Sequence, residues 1–371
     1  MEDLPRTNII DTVVDLYQLI GETKRKTSRK LLGFRVFNFC AFVLTLFFIV
    51  ANFYYIEGEL YVPTLLSFLL IAHVFLKYML FLYYKSNIGI LLGDVAYRSW
   101  NYSNFNAKTV LTIEHIHKTI KYLQRIMLTV VIFGIYAYLL KPSLAANKGL
   151  ILEAVVPRAY FVDVIMLMAQ YYCVGIALPM VIGYDFIYFS LCIHVVLQLR
   201  LFKERMDEIL RTPTEDNKLK LNYCIYHHQF LLSIFFRMRA MYSIMLLFHY
   251  FVSLISSCSM LYEIMMRDTN FMNYIAKSIS IVIIVGQFAL YAFPAEQVAF
   301  EFSDVADAIY RSCWYKENVL NQKMLSYIMV AAQRVRYFSG AGLVDINVDA
   351  FESVLRKSFS FCMVLRNLIN K

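Results

Sequence analysis

Seven long apolar segments recur along the chain, and each is long enough to cross a bilayer as a helix. About 20 mostly apolar residues span the roughly 30 Å hydrocarbon core in helical form. The segments lack the strict alternation of apolar and polar positions that marks membrane β-strands, so helices are expected. The predicted spans are Leu31–Tyr54, Val62–Tyr83, Tyr122–Leu140, Phe161–Val181, Tyr242–Tyr262, Tyr274–Phe293 and Phe351–Ile369.

The last of these segments differs from the others because it contains charged residues. Glu352, Arg356, Lys357 and Arg366 all lie within it. Ionisable side chains inside a span rarely face lipid and usually face a bundle interior or a water-filled cavity. The segment is therefore expected to be either an amphipathic surface helix or the wall of a pore.

Helical periodicity continues beyond the fourth and sixth apolar segments. Amphipathic stretches follow at Phe186–Ile209, Leu221–Arg239, Glu296–Tyr310 and Tyr315–Gln333. Their apolar faces need one another, or a neighbouring subunit, in order to be buried. We therefore predict an all-α polytopic membrane fold with seven transmembrane helices, in which helices four to seven extend into a cytoplasmic anchor.

The predicted organisation is a single membrane domain covering residues 1–371. The anchor portions are approximately residues 186–239 and 294–344, and the charged pore helix is approximately residues 345–369. Within the anchor, Trp314 and Tyr315 are large side chains of the kind that dominate subunit interfaces. They are expected at a subunit contact, and packing within one subunit is the alternative.

The composition excludes a soluble multidomain protein. Hydrophobic residues make up 60% and charged residues 17% of the 371 residues. Soluble chains contain about 45–50% apolar and about 25% charged residues. A soluble fold of this size could not hide so much apolar surface from water, so lipid must cover part of it.

Lysine and arginine alternate in abundance between the two sides of the predicted spans. Outside the predicted spans, the N-terminal tail and the loops on its side contain 24 of them, whereas the other loops and the C-terminal end contain 5. Cytoplasmic loops are enriched in these residues, so the N-terminus is expected in the cytoplasm and the C-terminus outside the cell. G-protein-coupled receptors have the opposite arrangement. The net charge of +9 is thereby assigned to membrane borders and anionic lipid rather than to nucleic-acid binding.

No catalytic or metal-binding motif is present in the sequence. The seven cysteines are odd in number and show no CxxC spacing, so free buried thiols are expected. His115, His117, His227 and His228 form two pairs, which fall short of the complete histidine boxes of membrane desaturases and lack HExxH spacing. No metal, cofactor or enzyme activity is predicted. A membrane enzyme or a transporter is the alternative class, which would require complete clusters or broken helices.

The C-terminal third contains four motifs in a characteristic order. They are DAIYRSCWY at Asp307–Tyr315, MVAAQ at Met329–Gln333, GLVDINVDAF at Gly342–Phe351 and SFSFCMVLR at Ser358–Arg366. This order resembles the signature of insect odorant receptors. Further upstream, Asp185 before an amphipathic run resembles the end of that family's fourth helix. The TY…QF ending of the related gustatory receptors is missing.

The resemblance implies a ligand-gated, non-selective cation channel opened by small volatile odorants. Four subunits of such a channel surround one pore and meet mainly through their cytoplasmic helices. An odorant-specific subunit usually assembles with a shared co-receptor in a heterotetramer. The implied location is the plasma membrane of sensory neurons, and a gustatory-type chemoreceptor channel is the alternative within the same class.

The resemblance also implies a ligand pocket in the outer half of the subunit, between helices two, three, four and six. An aromatic and aliphatic lining with few polar groups suits a small volatile molecule. His73 is expected either to contact a polar ligand or to hydrogen-bond a neighbouring helix. The candidate ligand-binding residues are Phe68, His73, Val131, Gly134, Tyr138, Met168, Tyr171, Tyr172, Tyr274, Ser278 and Ile281.

The outer end of the seventh helix is the implied position of the gate. Val364, Asn367 and Leu368 occupy the place of the family's pore-closing run, and their i, i+3, i+4 spacing puts them on one helix face. A ring of hydrophobic residues can close a pore by dewetting it. Arg366 would repel cations from within the pore and is therefore expected to face away from it.

Overall fold

The structure, a computed structural model, describes residues 29–55, 61–144, 152, 160–211, 214, 216–266, 271–334 and 337–369. These residues form long helices, with one small hairpin before the last helix. The α-helices are α1 Arg29–Tyr55, α2 Tyr61–Arg98, α3 Ala107–Leu144, α4 Tyr160–Arg211, α5 Asn217–Met266, α6 Phe271–Arg311, α7 Val319–Gln333 and α8 Val348–Ile369. The strands are β1 Phe338–Gly340 and β2 Val344–Ile346.

The predicted all-α polytopic membrane fold is confirmed. Among the described residues, five stretches are long and apolar enough to cross a membrane, namely Leu32–Tyr55, Tyr61–Asn104, Gly183–Arg211, Asn217–Met265 and Lys277–Arg311. The most apolar window of Gly183–Arg211 is 83% buried inside the protein. Its apolar character therefore reflects packing against other helices, as predicted for the continuation of the fourth helix.

Helices α2 and α3 also run well beyond their predicted spans. The α2 span was predicted to end at Tyr83, but the helix continues to Arg98, and α3 begins at Ala107 rather than at Tyr122. At 1.5 Å per residue, a helix of 38 residues is about 57 Å long, far more than a bilayer requires. The extension of α2 is stabilised by packing, because Leu91, Leu92 and Val95 are buried.

Helix α6 contains a proline at the position where the sequence pattern predicted the end of the sixth span. Pro294 directly follows the predicted last residue of the sixth span, yet α6 continues to Arg311. A proline inside a helix removes one backbone hydrogen bond and favours a bend. Ala292 and Ala295 on either side are buried, so the helix crosses the proline inside the packed core.

A cluster of buried tyrosines lies where α4, α5 and α6 meet. Tyr188 is the centre of a tyrosine cluster, with its ring centroid 4.9 Å from that of Tyr242 and 4.9 Å from that of Tyr291. Tyr184 joins the cluster at 4.7 Å from Tyr242. The Tyr184 and Tyr242 hydroxyls each donate to a backbone carbonyl on the other helix, so their polar ends are satisfied in the interior.

The hairpin between α7 and α8 fixes the start of the last helix. Its strands pair antiparallel, with Phe338 opposite Ile346 and Gly340 opposite Val344. Ala341 and Gly342 form the turn with φ angles of 48° and 74°, the left-handed region that favours glycine. The hairpin rests on α5, and α8 then packs against α5 and α6.

Candidate ligand site and pore helix

The two candidate ligand residues on α2 have different surroundings. Phe68 is half-buried and packs against the main core. His73 is buried, and its Nε2 lies 3.0 Å from Nδ1 of His249 on α5. The rings of the pair are stacked with centroids 4.7 Å apart. Of the two expected roles for His73, a hydrogen bond to a neighbouring helix is therefore the one present in this structure.

The candidates on α4 hold that helix to its neighbours. The Tyr171 hydroxyl donates to the Leu139 carbonyl oxygen on α3 at 3.1 Å. The Tyr172 hydroxyl donates to Asn38 on α1, and Asn38 in turn donates to the Tyr78 hydroxyl on α2 at 3.2 Å. Met168 is 65% exposed. Tyr171 is thus the α4 candidate that the fold brings directly against α3.

The candidate ligand residues on α3 and α6 lie towards the helix ends that the distribution of lysine and arginine predicts to be outside the cell. Gly134 on α3 is half-buried, and a Cβ placed on it would meet nothing within 4 Å. On α6, Tyr274 is exposed and Ile281 half-buried, while the Ser278 hydroxyl donates to the Tyr274 carbonyl oxygen at 2.9 Å. The side chains of Val131 and Tyr138 on α3 lie outside the described parts of the chain.

A buried ion pair lies one helical turn from His73. Lys77 Nζ contacts both carboxylate oxygens of Asp185, at 2.6 and 2.9 Å. The same carboxylate accepts from Gln287 Nε2 at 2.8 Å and from the Tyr291 hydroxyl. The side chains of Lys77 and Asp185 are 0% and 5% exposed. We call Lys77, Asp185, Gln287 and Tyr291 the charged junction, since it joins α2, α4 and α6.

The sequence reasoning missed the charged junction. Asp185 was named from the sequence only because it resembles the end of the family's fourth helix, and no role was assigned to Lys77. A signal was nevertheless present, because a lysine in the middle of an otherwise apolar span points to a buried partner. The partner itself could not be chosen from the sequence, because it lies 108 residues away.

The connection between α2 and α3 is fastened to the ends of α4 and α5. Gln198 on α4 accepts from the Trp100 backbone N–H and donates to the Trp100 carbonyl oxygen, both at 3.0 Å. The Trp100 ring stacks on His227 of α5 with centroids 3.9 Å apart, and Ser99 Oγ lies 2.7 Å from His194 Nε2. The connection between α2 and α3 is therefore fixed to α4 and α5 by hydrogen bonds and ring stacking.

The paired histidines of the sequence are placed apart by the fold. His227 stacks on Trp100, whereas His228 packs against Phe202 and Phe302. His115 is exposed on α3. Within the described residues, no three His, Cys, Asp or Glu side chains are grouped so that they could hold a metal ion.

Helix α8 has one buried face and one exposed face. Ala350, Val354, Ser358 and Cys362, spaced every four residues, are buried. Val364 is 51% exposed, and Asn367 is exposed as well. Two of the three candidate gate residues thus lie on the surface of the single subunit, and the side chains of Leu368 and Arg366 lie outside the described set.

Polar contacts tie α8 to the helices behind it. Glu296 on α6 accepts from the Val348 backbone N–H at the first turn of α8 and from the Tyr337 hydroxyl, both at 3.2 Å. Burial and this neighbouring carboxylate raise the pKa of Tyr337, so the phenol stays protonated and can donate. Further along α8, Lys357 Nζ donates to the Tyr250 hydroxyl on α5 at 3.1 Å.

The two candidate interface residues face different surroundings. Trp314 is half-buried and packs against the main core, which matches the alternative of packing within one subunit. Tyr315, the next residue, is 62% exposed. Large apolar side chains nearby are exposed as well, among them Tyr310, Leu320 and Tyr327.

Comparison with known proteins assigns the chain to a family. The sequence profile of the 7tm Odorant receptor family matches residues 64–359. The chain belongs to the odorant receptor family. The resemblance inferred from the four C-terminal motifs is thus confirmed, and the family is one of receptors rather than of enzymes.

Relatives agree with this receptor in sequence and in fold. Odorant receptor 30a of Drosophila melanogaster is 21% identical over 189 residues, which is 51% of this chain and 50% of that protein. The match therefore spans about half the length of this relative. The olfactory receptor OR5 of Machilis hrabei has the same fold at 14% identity, with a TM-score of 0.84 over 96% of this chain and 97% of that one. The OR5 structure in complex with eugenol gives a TM-score of 0.85 over 97% of each chain at 14% identity.

Proposed function

We propose that this odorant receptor is a subunit of a ligand-gated, non-selective cation channel that small volatile odorants open. The proposal is supported by the family and by the fold, which is shared with an olfactory receptor solved with eugenol bound. Most candidate ligand residues are aromatic or aliphatic, a lining that suits a small molecule bound by dispersion and desolvation.

The exposed face of α8 is the observation that carries the channel proposal. Glu352 and Arg356 are exposed on this helix as an i,i+4 ion pair at 3.7 Å, and Val364 and Asn367 are exposed further along it. Charges and amides on an exposed face are costly against lipid but suit a water-filled passage. When several subunits meet around an axis, these faces together line a pore, with Val364, Asn367 and Leu368 at its gate.

The assembly is a tetramer that includes odorant co-receptor subunits and lies in the plasma membrane of sensory neurons. Its contacts form at the cytoplasmic anchor, residues 186–239 and 294–344, where Tyr315 and Tyr327 are exposed at 62% and 75%. Exposed aromatic residues of this size are typical of subunit contacts. The N-terminus lies inside the cell in this arrangement, and a glycan on Asn101 in the sequon Asn101-Tyr102-Ser103 would contradict it.

Electrophysiology tests the proposal directly. The receptor is expressed with and without an odorant co-receptor, and a panel of volatile alcohols, aldehydes, esters and phenols is applied. Odorant-evoked cation current that requires the co-receptor is the expected result. Current from this chain alone would indicate a homotetramer, and absence of current in both conditions would reject channel function.

Three further variants test the assigned residues. Leu368→Ala is expected to change basal current or pore block, and a variant that alters neither would remove Leu368 from the gate. Tyr138→Ala and Tyr171→Ala are expected to change the odorant response profile. If both variants respond as the wild type does to every active odorant, Tyr138 and Tyr171 do not line the odorant pocket.

A further inference from the structure

The charged junction connects three of the four helices that line the candidate ligand site. Lys77 belongs to α2, Asp185 to α4, and Gln287 and Tyr291 to α6. Lys77 lies 16 residues after the start of α2, about 24 Å along its axis. Lys77 and His73 are four residues apart and share a face of α2, so the junction lies directly beneath a candidate ligand residue.

The junction is also close to the pore helix. The His249 ring, which pairs with His73, lies 5.0 Å from the Tyr291 ring and 5.8 Å from the Phe288 ring. Phe288 in turn stacks on Phe351 of α8 at 6.5 Å. A continuous set of packed rings therefore joins His73 to α8 through His249 and Phe288, and Tyr291 of the charged junction packs against the same His249 ring.

The buried ion pair between Lys77 and Asp185 opposes separation of the helices that it joins. Separating Lys77 from Asp185 inside the protein leaves two unpaired charges, which is costly unless water or new partners reach them. Lengthening the pair is costly, because its contacts of 2.6 and 2.9 Å are short charge-assisted hydrogen bonds, about twice as strong as neutral ones. Relative motion of α2 against α4 and α6 is thus opposed until the pair breaks.

We propose that Lys77 is a positioning residue that holds α2, α4 and α6 in the resting arrangement through Asp185. Odorant binding that moves these helices must act against the ion pair before the pore opens. The strength of the pair therefore sets the odorant concentration at which the channel responds. This inference rests on the proposed channel function.

The double variant Lys77→Met with Asp185→Asn separates gating from folding. Either single change leaves one buried charge without its partner and is expected to lower surface abundance. The double variant leaves no unpaired charge, so its abundance is expected to recover. If the pair only stabilised the fold, the odorant response would recover with it. If the pair sets the resting arrangement, ligand-free current rises and the EC50 falls at least about fivefold, within the usual range of coupling between sites.

A matched control and a gentler variant complete the test. Asp94→Asn breaks a part-exposed ion pair between α2 and Arg237 of α5, 2.7 Å long, and is expected to leave the EC50 within about twofold. Tyr291→Phe removes one donor from Asp185, keeps the ring, and is expected to lower the EC50 about two- to threefold. If the double variant does not reach the surface, Tyr291→Phe decides the question.

The measurement is co-receptor-dependent current per surface-labelled receptor, with the volatile panel above including eugenol. If the wild type gives no odorant current, the channel proposal is rejected, and the inference with it. If the wild type responds and the double variant has an unchanged or raised EC50 at normal abundance, the inference alone is rejected. Tyr291→Phe with an unchanged or raised EC50 rejects it in the same way.

Discussion

Gly340 lies so close to helix α5 that a Cβ on it would sit 2.9 Å from both the Cα and the backbone nitrogen of Leu247. The contact seats the hairpin that leads into α8. Gly340→Ala is therefore expected to force the hairpin away from α5 and to lower the free energy of unfolding by about 1–3 kcal/mol. The change is measured as a lower thermal unfolding temperature of the detergent-solubilised receptor.

Gly89→Ala is the control for this prediction. A Cβ at Gly89 on α2 meets nothing within 4 Å, and alanine favours the helix by about 0.5–1 kcal/mol. The variant is expected to match or slightly exceed the wild type in thermal stability. Equal losses in Gly340→Ala and Gly89→Ala would show that the hairpin is not tightly seated on α5.

Gln198→Leu is expected to release the connection between α2 and α3. The amide holds both backbone groups of Trp100 at 3.0 Å, and leucine leaves them unpaired at a cost of about 2 kcal/mol. Amide hydrogen exchange is expected to accelerate in residues 99–106, while exchange in α7 stays unchanged as an internal reference. Unchanged protection of residues 99–106 would mean that the remaining contacts, among them the His227 stacking and the Ser99–His194 hydrogen bond, hold the connection without Gln198.

Glu301 and Glu208 are both paired carboxylates, but only one is expected to matter for stability. Glu301 is 3% exposed and accepts from Arg200 and Lys203 at 2.7 and 2.6 Å. Glu301→Gln weakens the charge-assisted hydrogen bonds to both cations, although Lys203 keeps its pair with Asp304 and Arg200 is 45% exposed, and a loss of about 2 kcal/mol is expected. Glu208 is 66% exposed in its pair with Arg205, so Glu208→Gln is expected to cost less than about 1 kcal/mol. Thermal unfolding in detergent compares the two, and equal effects would show that burial does not set the difference.

Cysteine accessibility tests which face of α8 meets water. Val364→Cys and Asn367→Cys are expected to react with a charged thiol reagent in the assembled channel and to change its current. Val354→Cys, on the buried face, is the matched control and is expected to react at least about tenfold more slowly, because an apolar surrounding suppresses the thiolate. Faster reaction at position 354 than at 364 would place the other face of α8 towards the pore.

Local patterns predicted the helices better than they predicted their lengths. The amphipathic stretch Tyr315–Gln333 became α7, Val319–Gln333, because its period of apolar residues is a property of the segment alone. The continuation of α2 to Arg98 was missed, since the polar residues after Tyr83 resemble a loop in sequence. Packing of the extension against neighbouring helices keeps it helical, and that packing depends on residues far along the chain.

The sequence by itself determined that this protein is helical, lies in a membrane, has a charged last helix and belongs among the odorant receptors. These properties depend only on local sequence, since hydropathy, charge and short motifs can be recognised in one segment without knowing what that segment packs against. Only the tertiary structure decided that Lys77 pairs with Asp185, that His73 bonds to His249, and that Gly340 rests on α5. Such pairings depend on which atoms the folded helices bring within about 3 Å of one another, and no local pattern encodes that distance.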